Sequence, residues 1–236
     1  MISSEINSKY WSSVAPSEII GENAMPGSEL FDFLKSGARV LDLGCGNGKI
    51  SRQLKSSGYE VYGVDINDRA ITANDSRQEG INYSVADITR GLSFENDFFD
   101  AVVVSFFLIN IMPVAVRASC VAELTRVLRP GGYVWANEPI TSPDYALRYE
   151  VSAPFVDEPN SFFVFRKGLR SKEVDTTEKL RQSIDRGDVD RVTRHFVDGE
   201  LEKLFGSYKL VSKEYSETAS PNTGYIIKMV ILVLQK

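Results

Sequence analysis

Residues 40–48 read Val-Leu-Asp-Leu-Gly-Cys-Gly-Asn-Gly, a short apolar run that ends in three alternating glycines. No other stretch limits the fold so tightly. The apolar run has the length of a buried strand, and the glycines let the backbone turn sharply and let a ligand approach the main chain. A helical stretch over 49–57 follows and stops at Gly58. Strand, tight turn and helix start together open a βαβ unit. The alternation begins at 38–43 and continues with a strand over 60–66, a polar helix over 68–79 closed by Gly80, and a strand over 81–87. A long apolar run over 99–109 reads as a strand buried on both faces. Pro113 opens a helix that runs to about Leu128 and stops at Arg129-Pro130-Gly131-Gly132, and a fifth strand covers 133–138. Such alternation predicts a parallel sheet with right-handed crossovers. Beyond it, a helix is expected over 200–205 with Asp198 as N-cap. Two strands over 208–215 and 225–235 flank Ser220-Pro221-Asn222-Thr223-Gly224, which is the turn chemistry of an antiparallel hairpin.

Two segments break this rhythm. Residues 1–37 carry two basic and five acidic residues and read as a helical or irregular cap. Residues 140–197 read as an insertion, either a solvated one or a lid over the substrate. Its part from 166 to 194 holds nine basic and six acidic residues. With 38–139 as cofactor-binding core and 198–236 as C-terminal helix and hairpin, the chain reads as one domain, a size that 236 residues allow.

Composition excludes several classes. At 43% apolar and 25% charged residues the chain is neither disordered, collagenous nor coiled coil. No apolar run is long enough to span a bilayer, and the first residues lack a basic stretch followed by an apolar one, so no membrane association or secretory signal is expected. Cys45 and Cys120 form neither a disulfide framework nor a zinc pattern, which points to a reducing, cytoplasmic setting. The net charge of −5 argues against broad nucleic-acid binding.

The ligand expected at the glycine turn follows from three acids. Asp42 precedes the turn, Asp65 ends the second strand 21 residues after Gly44, and Asp87 ends the third. A carboxylate at the Asp65 position is suited to ribose hydroxyls. A dinucleotide fits less well: its third glycine would fall where Lys49 stands, and the Asp42 anion suits an ammonium or sulfonium group better than a pyrophosphate.

Taken in order, Asp42-Leu43-Gly44-Cys45-Gly46-Asn47-Gly48, Gly63-Val64-Asp65-Ile66, Ala86-Asp87-Ile88 and Leu124-Thr125-Arg126-Val127-Leu128-Arg129-Pro130-Gly131-Gly132 resemble the class I S-adenosylmethionine (SAM)-dependent methyltransferases, small-molecule type. The resemblance implies a Rossmann-like α/β fold: a seven-stranded, mostly parallel sheet with an antiparallel last strand and helices on both faces. It implies that Gly44, Cys45, Gly46 and Gly48 line the methionine part of SAM and that Asp42 holds its amino group. Asp65 would take the ribose hydroxyls with Ile66 on the adenine, Asp87 and Ile88 would meet the adenine edge, and Ser105 would lie near the methionine end. Tyr10 and Trp11 stand where similar enzymes place an aromatic over the cofactor, or else anchor the N-terminal helix in the core.

Methyl transfer needs alignment more than acid–base chemistry, because the leaving thioether is neutral. His195 is the default base by its titration range, or a structural histidine; Glu138 is a base or amine-binding group, or a loop carboxylate. Tyr145, Arg148, Tyr149 and Arg194 are further candidates for contact with an acceptor. No Asn-Pro-Pro-Tyr, Asp-Pro-Pro-Tyr or Pro-Cys follows the fourth strand, which disfavours methylation of adenine amines, glutamine amides or cytosine C5. No metal set is evident. The expected activity is transfer of a methyl group from SAM to oxygen or nitrogen of a small molecule, leaving S-adenosylhomocysteine. The alternatives are a tRNA-modifying enzyme of the wobble-uridine type, suggested by Gly44 to Lys49 and the basic stretch, a non-catalytic SAM-binding protein, and a nucleotide dehydrogenase.

Overall fold

The computed structural model describes residues 2–15, 25–142, 158–165, 176–219 and 226–236. Among the described residues nine strands form two sheets. The larger contains β1 (Arg39–Leu43), β2 (Glu60–Asp65), β3 (Asn82–Val85), β4 (Phe99–Ser105), β5 (Leu128–Ile140), β8 (Lys209–Ala219) and β9 (Ile226–Gln235), in the order β3-β2-β1-β4-β5-β9-β8. The pairs among β1 to β5 are parallel, whereas β9 runs antiparallel to both β5 and β8. The strands β6 (Ser161–Phe165) and β7 (Val189–Arg194) form a separate antiparallel pair. The predicted seven-stranded sheet, with its last strand antiparallel, is therefore present.

Apolar side chains pack on both sheet faces. One cluster gathers Leu41, Val102, Val104, Leu124, Leu128 and Leu232; the other gathers Val40, Val61, Val103, Leu54, Trp135 and Val233. Alternate residues of β1 and β4 thus go to opposite cores, which is why these strands are apolar at nearly every position. The helices α1 (Ile2–Ser13) and α2 (Ser28–Phe31) precede β1, and α3 (Lys49–Ser56), α4 (Asp68–Asp75) and α5 (Val114–Val127) are the crossovers. Asn67 caps α4 by accepting from Ala70 N, and Gly48 takes the left-handed N-cap of α3.

Strand order reverses between β1 and β4, so the loops after these two strands diverge and leave a crevice at their carboxyl ends. The helix α1 (Ile2–Ser13) lies across it and is tied at both ends. Ser4 Oγ donates to Met112 O (3.1 Å) and Asn7 Nδ2 to Asn110 O (2.7 Å), while Asn67 Nδ2 donates to Trp11 O and Val14 O (both 2.9 Å).

Three expectations change. The run 99–109 is not all strand: β4 stops at Ser105, Phe106 adopts a φ of +52°, and Leu108–Asn110 form a 3-10 turn. Asp198 does not cap the short helix Glu200–Leu204; Gly199 does, and Asp198 pairs with Lys213 at 2.8 Å. Within 140–197 the structure adds a helix, Thr177–Asp185, and the β6–β7 pair. Residues 220–224, Tyr145, Arg148 and Tyr149 lie outside the described residues.

Candidate active site

The crevice is a cleft of about 570 Å³. Its floor is the glycine turn. Gly44 and Gly46 have φ of +72° and +50°, a region that costs other residues strain. A β-carbon on Gly44 would run into the ring of Phe107. The turn therefore needs glycine both for its backbone and for the aromatic that covers it.

Two carboxylates hold this floor. Asp65 Oδ2 accepts from Gly46 N (2.9 Å) and its Oδ1 accepts from Asn67 N (2.9 Å), so one side chain pins both the turn and the start of α4. Burial raises its pKa despite these bonds. Asp42 is 2% exposed and its Oδ2 accepts from Ser51 Oγ at 2.5 Å. Desolvation outweighs that bond and pushes the Asp42 carboxyl up to about 7. Asp87 stands nearer the mouth, where its Oδ1 accepts from Thr89 N (3.0 Å) and Thr89 Oγ1 (2.7 Å). Asp65 and Asp87 thus cap the following turns and also line the cleft.

The cleft brings together Trp11, Asp42, Gly44, Cys45, Gly46, Asp65, Ile66, Asp87, Ile88 and Ser105. Five other predicted positions lie outside its lining. Tyr10 turns away: its ring meets Trp11 edge-on at 4.9 Å and lies under the Arg191 guanidinium at 5.2 Å. Gly48 faces the Tyr83 hydroxyl, 2.6 Å from where a β-carbon would stand. His195 is 4% exposed, with Nδ1 3.1 Å from Ile140 O and the Phe162 ring against it, which suits a structural histidine rather than a base. Glu138 is fully buried behind the loop after β4, where Oε1 accepts from Phe107 N (3.0 Å) and Leu108 N (2.7 Å). Burial pushes its carboxyl up to about 7, yet it reaches no atom of the cleft lining beyond that backbone. Arg194 is also internal, paired with Glu200 at 2.6 Å.

Sequence reasoning missed the residues that close the cleft: Ser4, Asn7, Phe106, Phe107, Asn110 and Met112. A signal was available in the polar Asn110 that interrupts an apolar run. Asn74 was missed as well. Its Nδ2 donates to Gly46 O (2.8 Å), so the turn is held at both its N–H and its carbonyl.

The chemistry of the cleft fits SAM. It offers acceptor oxygens on three strand ends for an ammonium, a ribose diol and an exocyclic amine. Trp11 Nε1, buried and without a hydrogen-bond partner, adds an unused donor for oxygen atoms of the ligand. Cys45 is no rival nucleophile, because burial raises its thiol pKa well above the ordinary value. Among the described residues no group of three metal-ligating side chains occurs, and no helix is long and apolar enough to cross a membrane.

Comparison with known proteins agrees with this geometry. Residues 41–136 match the model of a methyltransferase domain family. A demethylmenaquinone methyltransferase of Beutenbergia cavernae is 36% identical over 109 residues, 46% of this chain and 44% of that one. The ubiquinone/menaquinone biosynthesis C-methyltransferase UbiE of Chromobacterium violaceum is 30% identical over 164 residues, 64% of this chain and 61% of that one. The chain therefore spans between about two fifths and three fifths of the length of these curated relatives. The crystal structure of a SAM-dependent methyltransferase from Methanosarcina mazei superposes with a TM-score of 0.75 at 27% identity, covering 90% of this chain and 99% of that one. The glycine turn, the three acids, the sheet order and these matches agree: the chain has the fold and the cofactor-site pattern of the class I SAM-dependent methyltransferases.

Proposed function

We propose that this protein transfers the methyl group of SAM to a small, largely apolar acceptor. The observation that carries the reading is the convergence of Asp42, Asp65 and Asp87 with the Gly44–Gly46 turn on one cleft capped by α1. When bound, SAM supplies a methyl on a sulfonium centre whose departure leaves a neutral thioether. The chain's own contribution is alignment and exclusion of water. Asp42 is placed to hold the amino group, Asp65 the ribose hydroxyls, Asp87 and Ile88 the adenine edge, and Trp11 to cover the cofactor from α1. Phe106, Ile111, Met112 and Val116 give the cleft an apolar wall against which a flat acceptor can lie.

A hydroquinone fits that wall. The relatives are named for quinone substrates, and the Chromobacterium protein is named a C-methyltransferase. The sequence expectation for this chain is oxygen or nitrogen. A hydroquinone ring offers both an electron-rich carbon and a hydroxyl oxygen, so this acceptor class accommodates either. Transfer to either atom also releases one proton from the acceptor, from its hydroxyl or from the methylated carbon, and that proton goes to solvent; the leaving thioether takes none.

The test is incubation with SAM and a panel of hydroquinones and phenols, following S-adenosylhomocysteine release and product mass. A product heavier by one methylene supports the reading. SAM binding without turnover on any apolar aromatic acceptor, with turnover on tRNA instead, overturns the choice of acceptor.

A further inference from the structure

We propose that Glu138 and Arg117 are positioning residues that set the loop 106–112 against the cofactor turn. The proposal rests on the cofactor reading above. Both side chains are buried, Glu138 at 0% and Arg117 at 1% exposure, and they grip one turn from opposite polarities. Glu138 Oε1 accepts from Phe107 N and Leu108 N. Arg117 Nε donates to Leu108 O (3.1 Å) and its Nη2 to Ile111 O (2.6 Å).

What the loop carries gives the clamp its consequence. The Phe107 ring lies where a β-carbon of Gly44 would be, so the position of Phe107 decides the shape of the floor on which the cofactor rests. The carbonyls of Asn110 and Met112 are the anchors of α1, which brings Trp11 over the cleft. On its far side Arg117 Nη2 donates to Glu158 Oε2 (2.8 Å), and Arg194 Nε lies 3.6 Å from the same oxygen. The clamp therefore joins β7 to the cofactor floor.

The groups are not satisfied as a mere structural pair would be. Glu138 Oε2 and Arg117 Nη1 are buried without hydrogen-bond partners. A buried ion set of this kind is a poor device for stability compared with apolar packing. It is a good device for fixing one loop geometry, because each bond has a direction.

The experiment compares Glu138→Leu, Glu138→Gln, Arg117→Met, Phe107→Ala and the Glu138→Leu/Phe107→Ala double variant. SAM affinity is measured by calorimetry and the exchange of the Phe107 and Leu108 amides by hydrogen-exchange NMR. Glu138→Gln keeps an oxygen that can accept both N–H groups, so it retains amide protection and SAM affinity within about threefold. Glu138→Leu and Arg117→Met each weaken SAM by about tenfold, and the first also speeds exchange at both amides. Because Glu138 acts through Phe107, the double variant binds no more weakly than the poorer single variant, a non-additivity that general loss of stability does not produce. Wild-type affinity in a folded Glu138→Leu variant whose amides have lost protection overturns the proposal, as does full additivity. Failure of the wild-type protein to bind SAM refutes the cofactor reading, whereas unchanged exchange in Glu138→Leu refutes the clamp by itself.

Discussion

Gly44→Ala tests how the cofactor floor is built, and Gly37→Ala supplies its control. Both glycines have a left-handed φ, +72° and +77°. An alanine there costs roughly 1–2 kcal/mol in backbone strain, offset by about 0.4–1 kcal/mol from the stiffer unfolded chain. At Gly37 nothing lies within 4 Å of the added carbon, so that small difference is the whole effect. At Gly44 the added carbon collides with the Phe107 ring, an overpacking worth about 1–3 kcal/mol more. In a chain of this size each kcal/mol lowers Tm by about 2–4 °C, so Gly44→Ala melts roughly 2–12 °C below Gly37→Ala. Calorimetric melting of the two variants, with Phe107→Ala added to Gly44→Ala, isolates the contact, since removing the ring restores most of the loss. SAM titration completes the assay: Gly44→Ala binds at least about tenfold more weakly, and Gly37→Ala binds as wild type. Equal melting temperatures for the two alanine variants would refute the claim that Phe107 is packed on the turn.

Further expectations concern single side chains. Asp65→Ala weakens SAM by at least about tenfold, or about 1.4 kcal/mol, measured by calorimetry, because it removes both the proposed ribose acceptor and the bond to Gly46 N. Burial pushes the Asp42 carboxyl up to about 7 from an ordinary value of 3.8, so SAM affinity should fall as pH drops through 7 and the anion proposed to hold the ammonium is lost. The same shift acts on folding with a defined sign. The protonated form is favoured in the fold, so this contribution is fully present below pH 3.8 and is lost as pH rises to about 7; Asp42→Asn flattens the slope of stability over that window. His195→Ala lowers thermal stability through the lost Ile140 contact, worth about 1–3 kcal/mol, but leaves SAM affinity unchanged; a loss of affinity would return His195 to the site.

The parallel strands were legible because β1 and β4, buried on both faces, are apolar at nearly every position and the helices between strands are closed by glycines; the order of the strands in the sheet was not. The acids were legible because they stand at strand ends. The loop after β4 was not, since Phe106 to Asn110 carry the same apolar signal as the strand they leave, and only the positive φ of Phe106 ends it. Glu138 ends the expected strand 133–138, yet β5 runs on to Ile140 and the Glu138 carboxylate turns inward to meet two backbone N–H groups. That direction depends on where a distant loop packs, which the local pattern does not encode. Tyr10 and Trp11 are neighbours on α1, and which of them faces the cleft is decided by the anchoring of that helix on Asn67 and Met112. The β6–β7 pair was hidden for a similar reason: its charged residues pair inside the fold, as Arg194 does with Glu200.

The most direct test of the account is calorimetric titration of the protein with SAM and S-adenosylhomocysteine, with NAD as control. One-to-one binding of the first two and none of NAD is expected. Binding of NAD, or of none of the three, would contradict it.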